Sequence, residues 1–170
     1  VQHLLAHGHR DIAFFGDAPE ISSSVLRRGG YECGLRESGI DVREDRIVQG
    51  RHRPDVWRSI IRDYLERPDP PTALFTAQNF VSVGGTQALH DLGLHETIAQ
   101  VGFDDIELGD VVTPGITTVP QYPLELGRRA ARMLFEQIGG LRNTPMKDIM
   151  VGKIIERGSG EIRPPGANSN

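Results

Sequence analysis

At 170 residues the chain corresponds to about one domain, large enough to bury most of the surface it exposes when unfolded without disulfide support. Hydrophobic residues at 38% and charged residues at 25% describe a soluble globular protein, and no apolar run approaches the ~20 residues of a membrane span. The 19 basic and 23 acidic side chains sum to −4, which excludes general electrostatic attraction to a nucleic-acid backbone.

Cys33 is the lone cysteine, and the first residues lack the basic and apolar blocks of a secretory signal, so a reducing cytoplasm is expected. The chain opens on Val1, with methionine only at positions 133, 146 and 150, and is expected to be a trimmed or excised piece.

The predicted elements alternate along the chain. Residues 2–8 read as a short helix carrying Leu4 and Leu5 and ending at Gly8, followed by a buried strand over 11–16. Ser22, Ser23 and Ser24 stand where a second helix can start; it runs to about Ser38 with Gly39 as its stop, and Ile47–Val48 forms the next strand. Pro54 or Asp55 opens a helix through Trp57, Ile61 and Leu65, broken by Pro68, Pro70 and Pro71 before a strand over 72–76. Asn79 is placed to cap a helix stopped by Gly93, and a strand over 98–102 follows. After Asp105 come a strand over 116–119 and a helix from Tyr122 or Pro123 to Ile138. Its residues Leu124, Gly127, Ala131, Leu134 and Ile138 line one face, so it requires an apolar partner surface. Ile149 to Arg157 reads as a final strand, and Gly, Pro, Ser and Asn dominate 158–170, which reads as a disordered tail. The pattern implies an α/β fold: an open, mostly parallel sheet with helices on both faces.

Four landmarks in this order carry a resemblance: Gly8-His9-Arg10-Asp11-Ile12-Ala13-Phe14, Arg27 with Gly30-Tyr31, Pro71-Thr72-Ala73-Leu74-Phe75, and Val101-Gly102-Phe103-Asp104-Asp105. Ile116-Thr117-Thr118-Val119-Pro120-Gln121 adds a fifth. Together they resemble the effector-binding domain of bacterial transcription regulators of the LacI/GalR family, whose fold is similar to periplasmic sugar-binding proteins. The resemblance implies one lobe of a two-lobed type I fold. Residues 1–119 would form the second lobe, 120–142 a helix that normally returns to the first lobe, and 143–157 a strand rejoining the second. It further implies a homodimer that binds a small-molecule effector, and operator DNA only through an N-terminal helix-turn-helix module that this sequence does not contain. Without the first lobe, the helix near 122–138 is expected to find a neighbouring chain; the alternative is that it folds back on its own lobe.

In open α/β sheets ligands sit beyond the carboxyl ends of the strands, so binding groups are expected after Gly16, Val48, Phe75 and Gly102. By the resemblance, Arg27 matches an arginine that hydrogen-bonds the effector and Asp104 an aspartate that accepts from it. Without the resemblance, a solvated helix residue is the alternative reading of Arg27, and it is the reading given to Arg28. Gln78 stands where the family has a ligand-contacting asparagine. Arg51 and His52 stand where it often has an aromatic residue, a departure that weighs against an ordinary neutral sugar. Ser24, at a helix start, serves either as a cap or, with its neighbours' amides, as an anion contact. With Arg27, Arg51 and His52 it gives a positive balance against Asp104, pointing to an effector with a phosphate or carboxylate.

Other chemistry has little support. Asp104 and Asp105 are adjacent and diverge, His3, His7 and His9 lack zinc spacing, and the loop after Phe15 lacks the glycines of a phosphate-binding loop. Cys33 is expected to pack within its helix. No metal, cofactor or catalytic constellation is expected. The alternatives to a sensing domain are a solute-binding protein of a transport system and, more remotely, an α/β enzyme.

Overall fold

The computed structural model describes residues 1–140 and 147–166. The elements in chain order are α1 (Gln2–Ala6), β1 (Ile12–Gly16), α2 (Ser22–Glu37), β2 (Ile47–Gln49), α3 (Pro54–Leu65), β3 (Ala73–Thr76), α4 (Asn79–Asp91), β4 (Ala99–Phe103), β5 (Thr117–Val119) and α5 (Pro123–Ile138). The five strands form one parallel sheet in the order β2-β1-β3-β4-β5. Phe14 pairs with Ile47 on one side of β1 and with Phe75 on the other, and Val101 pairs with Thr117.

β1 is buried along its whole length, and its side chains alternate between two cores, as a strand covered on both faces must. Ala13 and Phe15 join Trp57, Ile61, Tyr64, Leu74, Val81 and Leu89 beneath α3 and α4. Ile12 and Phe14 join Leu4, Tyr31, Leu35, Phe75 and Val101 beneath α1 and α2. Full burial of each large apolar side chain contributes roughly 1.5–3 kcal/mol, so these cores outweigh the weak local helix propensity of α2, which contains three glycines. Tyr31 also donates from its hydroxyl to the Ile12 carbonyl at 2.8 Å, tying α2 to β1.

The helix ends partly follow and partly contradict the sequence reading. Gly39 and Gly93 have φ of +69° and +68° just past α2 and α4, the left-handed stop expected of them. Ser22–Ser24 do not cap α2: the N-cap is Ile21, and Ser24 is buried. Asn79 does not cap α4 either; Gln78 does, its side-chain oxygen accepting from the Val81 amide at 3.2 Å.

Two larger corrections concern the end of the chain. No strand spans 149–157; the segment's β pairing with the sheet is one antiparallel bridge between Ile155 and Thr118. The stretch expected to be a disordered tail is packed against the lobe through about residue 164, while 167–170 lie outside the described residues. The Ser159 hydroxyl donates to the Gln100 carbonyl at 2.7 Å and accepts from the Thr117 amide at 2.9 Å, filling a gap between β4 and β5. His9, fully buried, reaches the Ile162 carbonyl at 2.7 Å.

α5 has the amphipathic pattern expected but buries none of its residues; Leu124, Phe135 and Ile138 are each at least 70% exposed. The alternative in which this helix folds back on its own lobe is therefore not adopted. Residues 141–146 of the segment expected to follow it lie outside the described residues.

Candidate functional site

The parallel topology puts the carboxyl ends of β1, β2, β3 and β4 along one edge, each continuing into a loop with polar side chains. Two backbone bonds hold the loop starts in place: the Gly50 amide donates to the Gly16 carbonyl at 3.1 Å, and the Ala77 amide to Phe15 at 2.8 Å. Asp17, Arg51–His52, Gln78 and Asp104 follow directly in sequence.

Arg27 comes to this edge from α2. Its Nη1 donates to the Ala77 carbonyl at 2.9 Å, and its guanidinium carbon lies 4.0 Å from the centroid of the Phe103 ring. A cation held over an aromatic face gains about 0.5–2 kcal/mol, more as water is excluded. Burial pulls the Arg27 guanidinium below its ordinary pKa, while the Asp104 and Asp17 carboxylates nearby pull the other way. Arg27 thus packs on Phe103, the residue that precedes Asp104, near enough for the two charges to act on one another.

Asp104 adopts φ of +76°, in the left-handed region. That conformation costs most residues roughly 1–2 kcal/mol and is tolerated by aspartate because the short side chain bonds locally. Here its Oδ1 accepts from the Asp105 amide at 3.0 Å, and its own amide donates to the Val119 carbonyl at 2.9 Å.

The remaining predicted residues divide. The Ser24 hydroxyl donates to the Asp17 carbonyl at 2.7 Å and accepts from the Gln49 side-chain amide at 3.1 Å, so it braces the loop after β1. Gln78 stands beside the Ala77 carbonyl that Arg27 uses, with its side-chain oxygen committed to capping α4. His52 lies edge-on to Trp57 with ring centroids 5.1 Å apart, and Arg51 is exposed, both on the loop that Gly50 anchors. Arg28 pairs with Glu32 and Glu44 at 2.7 and 2.9 Å and donates to the Gln49 side-chain oxygen at 3.1 Å. Asp17 and Phe103 were missed; the signal for Asp17 was its place directly after a strand-ending glycine, and for Phe103 its place inside the motif of Asp104.

Arg27 and Phe103 also line an open cavity of about 810 Å³ that extends along α2 past Leu26, Gly30, Cys33 and Gly34. None of the other predicted site residues lines it. Its walls are mainly apolar, unlike the polar strand-end edge, and Cys33 is exposed on it rather than packed.

A family described as periplasmic binding protein-like domain matches residues 1–160. This chain belongs to that family. The HTH-type transcriptional repressor PurR of Erwinia tasmaniensis is 31% identical over 160 residues, which are 93% of this chain and 47% of the repressor. Among solved structures, the transcriptional regulator CelR in complex with cellobiose superposes with a TM-score of 0.83 at 28% identity, covering 93% of this chain and 49% of CelR. A LacI-family sugar-binding transcriptional regulator from Escherichia coli, complexed with phosphate, gives 0.80 at 28% identity, covering 92% of this chain and 56% of that one. The chain spans about half the length of the curated relatives it matches. No helix among the described residues is long and apolar enough to cross a membrane.

Proposed function

We propose that this domain is the sensory lobe of a DNA-binding transcriptional regulator: it holds a small metabolite at the strand-end edge and acts without catalysis. The observation that carries this reading is the Arg27 guanidinium, fixed on the Ala77 carbonyl and over the ring of Phe103, the residue that precedes Asp104. A guanidinium supplies only donors and an ionised carboxylate only acceptors, and a hydroxyl group satisfies both. A hydroxyl-rich metabolite therefore suits this edge. The addition of Asp17 to Asp104 removes the net positive balance close to Arg27, but exposed Arg51 still suits an anionic substituent at the outer end.

Regulation is favoured over transport because the relatives are repressors and regulators. The ligand changes operator affinity only through differential affinity for two arrangements of the full-length protein, typically worth about 1–3 kcal/mol. The apolar stripe of α5 suits a seat against the first lobe of a two-lobed domain, within a homodimer.

Calorimetric titration of the full-length protein with cellobiose, glucose 6-phosphate and inorganic phosphate tests this. Binding of a hydroxyl-bearing compound that Asp104→Asn abolishes supports the assignment, and a further loss for the phosphate ester alone in Arg51→Ala supports the anionic substituent. Binding that survives Asp104→Asn unchanged rejects the site.

A further inference from the structure

Asp104 is held in its left-handed conformation at the start of a loop, 104–115, that contains a second left-handed non-glycine residue, Leu108 at φ +63°. Such a loop needs bracing from outside, since each such residue favours another backbone state. The brace is visible. Arg157, on the packed C-terminal segment, donates from Nη1 and Nη2 to the two carboxylate oxygens of Asp105 at 2.6 and 2.9 Å. The fork is rigid, because a planar guanidinium and a planar carboxylate meet in one orientation.

Both partners are themselves anchored. The Arg157 amide donates to the Thr117 hydroxyl at 3.0 Å, on β5, and its Nη1 also reaches the Ile116 carbonyl at 3.4 Å. Asp105 uses Oδ1 to accept from the Ile106 amide at 3.1 Å, while its own amide bonds Asp104. A chain of contacts therefore runs from β5 through Arg157 and Asp105 to the carboxylate of Asp104.

We propose that Arg157 is a positioning residue for ligand recognition: by fixing Asp105 it sets the turn that aims Asp104 at the bound metabolite. The inference rests on the sensing role proposed for Asp104 and extends it to a residue 53 positions further along the chain.

The test uses the full-length protein with Arg157→Gln, Arg157→Lys, Asp105→Asn and the exchanged pair Asp105→Arg with Arg157→Asp. Hydrogen exchange is followed at the amides of Asp105 and Ile106, with those of Phe14 and Leu74 as sheet controls. Affinity is measured with cellobiose and glucose 6-phosphate. Arg157→Gln and Asp105→Asn are expected to speed exchange at Asp105 and Ile106 by about tenfold, the scale of one charge-assisted bond, and to weaken the bound probe similarly. The sheet controls are expected to stay unchanged, and Arg157→Lys and the exchanged pair to restore part of both properties.

Unchanged loop exchange overturns the proposal, as does equal acceleration in the sheet, which marks a general stabiliser, or full affinity despite a loosened loop. A wild-type protein that binds neither probe counts against the sensing role alone, and the exchange measurement then decides the position of Arg157.

Discussion

The guanidinium of Arg27 is clamped between the ring of Phe103, 4.0 Å away, and the carbonyl of Ala77, 2.9 Å away. A long side chain of this type loses up to about 2 kcal/mol of rotamer entropy when it is fixed. Here the clamp settles that cost before any ligand arrives. Arg27→Met is expected to reduce ligand affinity of the full-length protein by about 10- to 100-fold, from the loss of charge-assisted bonds. Phe103→Leu, which keeps the arginine but removes its platform, is expected to cost less, about 3- to 10-fold. Calorimetry gives both numbers, and wild-type affinity in Phe103→Leu would show that the ring does not orient Arg27.

At the opposite end of the sheet, Arg46 is 4% exposed and makes a fork to Asp11 at 2.6 and 2.5 Å. It also donates to the Asp69 carboxylate at 2.8 Å and the Asp69 carbonyl at 2.9 Å. One side chain thereby gathers the entry to β1, the turn before β2 and the proline-rich turn before β3. Removing one member of a buried pair costs about 3–5 kcal/mol, and because Asp11 retains some contact with water the expected loss for Arg46→Ala is lower, about 2–4 kcal/mol. Urea denaturation measures it, and a loss below about 0.5 kcal/mol would class the network as surface decoration.

The sheet and its helices were legible because β1 and β3 are near-continuous apolar runs and glycine stops stand at 39 and 93. Arg27 and Asp104 could be singled out only through motif order, since they lie on different elements and no local spacing joins them. Ser24 was misread because a serine at a helix start reads the same whether it faces the amides or, as here, the Asp17 carbonyl beneath. Cys33 was misread because α2 presents Tyr31 and Leu35 inward, and a position two residues past Tyr31 falls on the opposite side. The end of the chain was misread because Ser159 and His9 meet partners 59 and 153 positions away, and composition carries no trace of such contacts.

His9 gives the fold a sensitivity to acid. Its Nε2 donates to the Ile162 carbonyl and its Nδ1 meets the Thr72 hydroxyl at 3.0 Å. Burial pulls its pKa below the ordinary 6.5, against the opposing pull of the Ile162 carbonyl and with a small push from His7. A lowered folded-state value means that the unfolded chain takes up the proton first as pH falls. The contribution of neutral His9 is thus complete above about 6.5 and is lost as the pH drops through the lowered value. The melting temperature is expected to fall between pH 8 and pH 5, and to fall less steeply in His9→Asn. His90, also lowered by burial, contributes with the same sign, so part of the slope persists. An unaltered slope in His9→Asn would assign the acid sensitivity elsewhere.

Three helical glycines separate the effect of packing from that of backbone propensity. A β-carbon at Gly84 would lie 2.6 Å from the Trp57 β-carbon and 2.8 Å from both the Arg58 nitrogen and the Pro54 oxygen, so α3 and α4 must move apart to admit it. At Gly85 the nearest atoms are 3.2 Å away, at the Gln100 side-chain nitrogen and a Thr76 methyl, both of which can give slightly. At Gly29 nothing lies within 4 Å. Glycine-to-alanine replacement inside a helix gains about 0.8–1 kcal/mol, whereas overpacking against backbone costs about 1–3 kcal/mol. Gly84→Ala is therefore expected to destabilise by about 1–2 kcal/mol, Gly85→Ala to change little, and Gly29→Ala to stabilise by about 0.5–1 kcal/mol. Denaturant titration of the three variants in parallel gives the ranking, and a Gly84→Ala variant as stable as Gly29→Ala would mean that the two helices are not in such close contact.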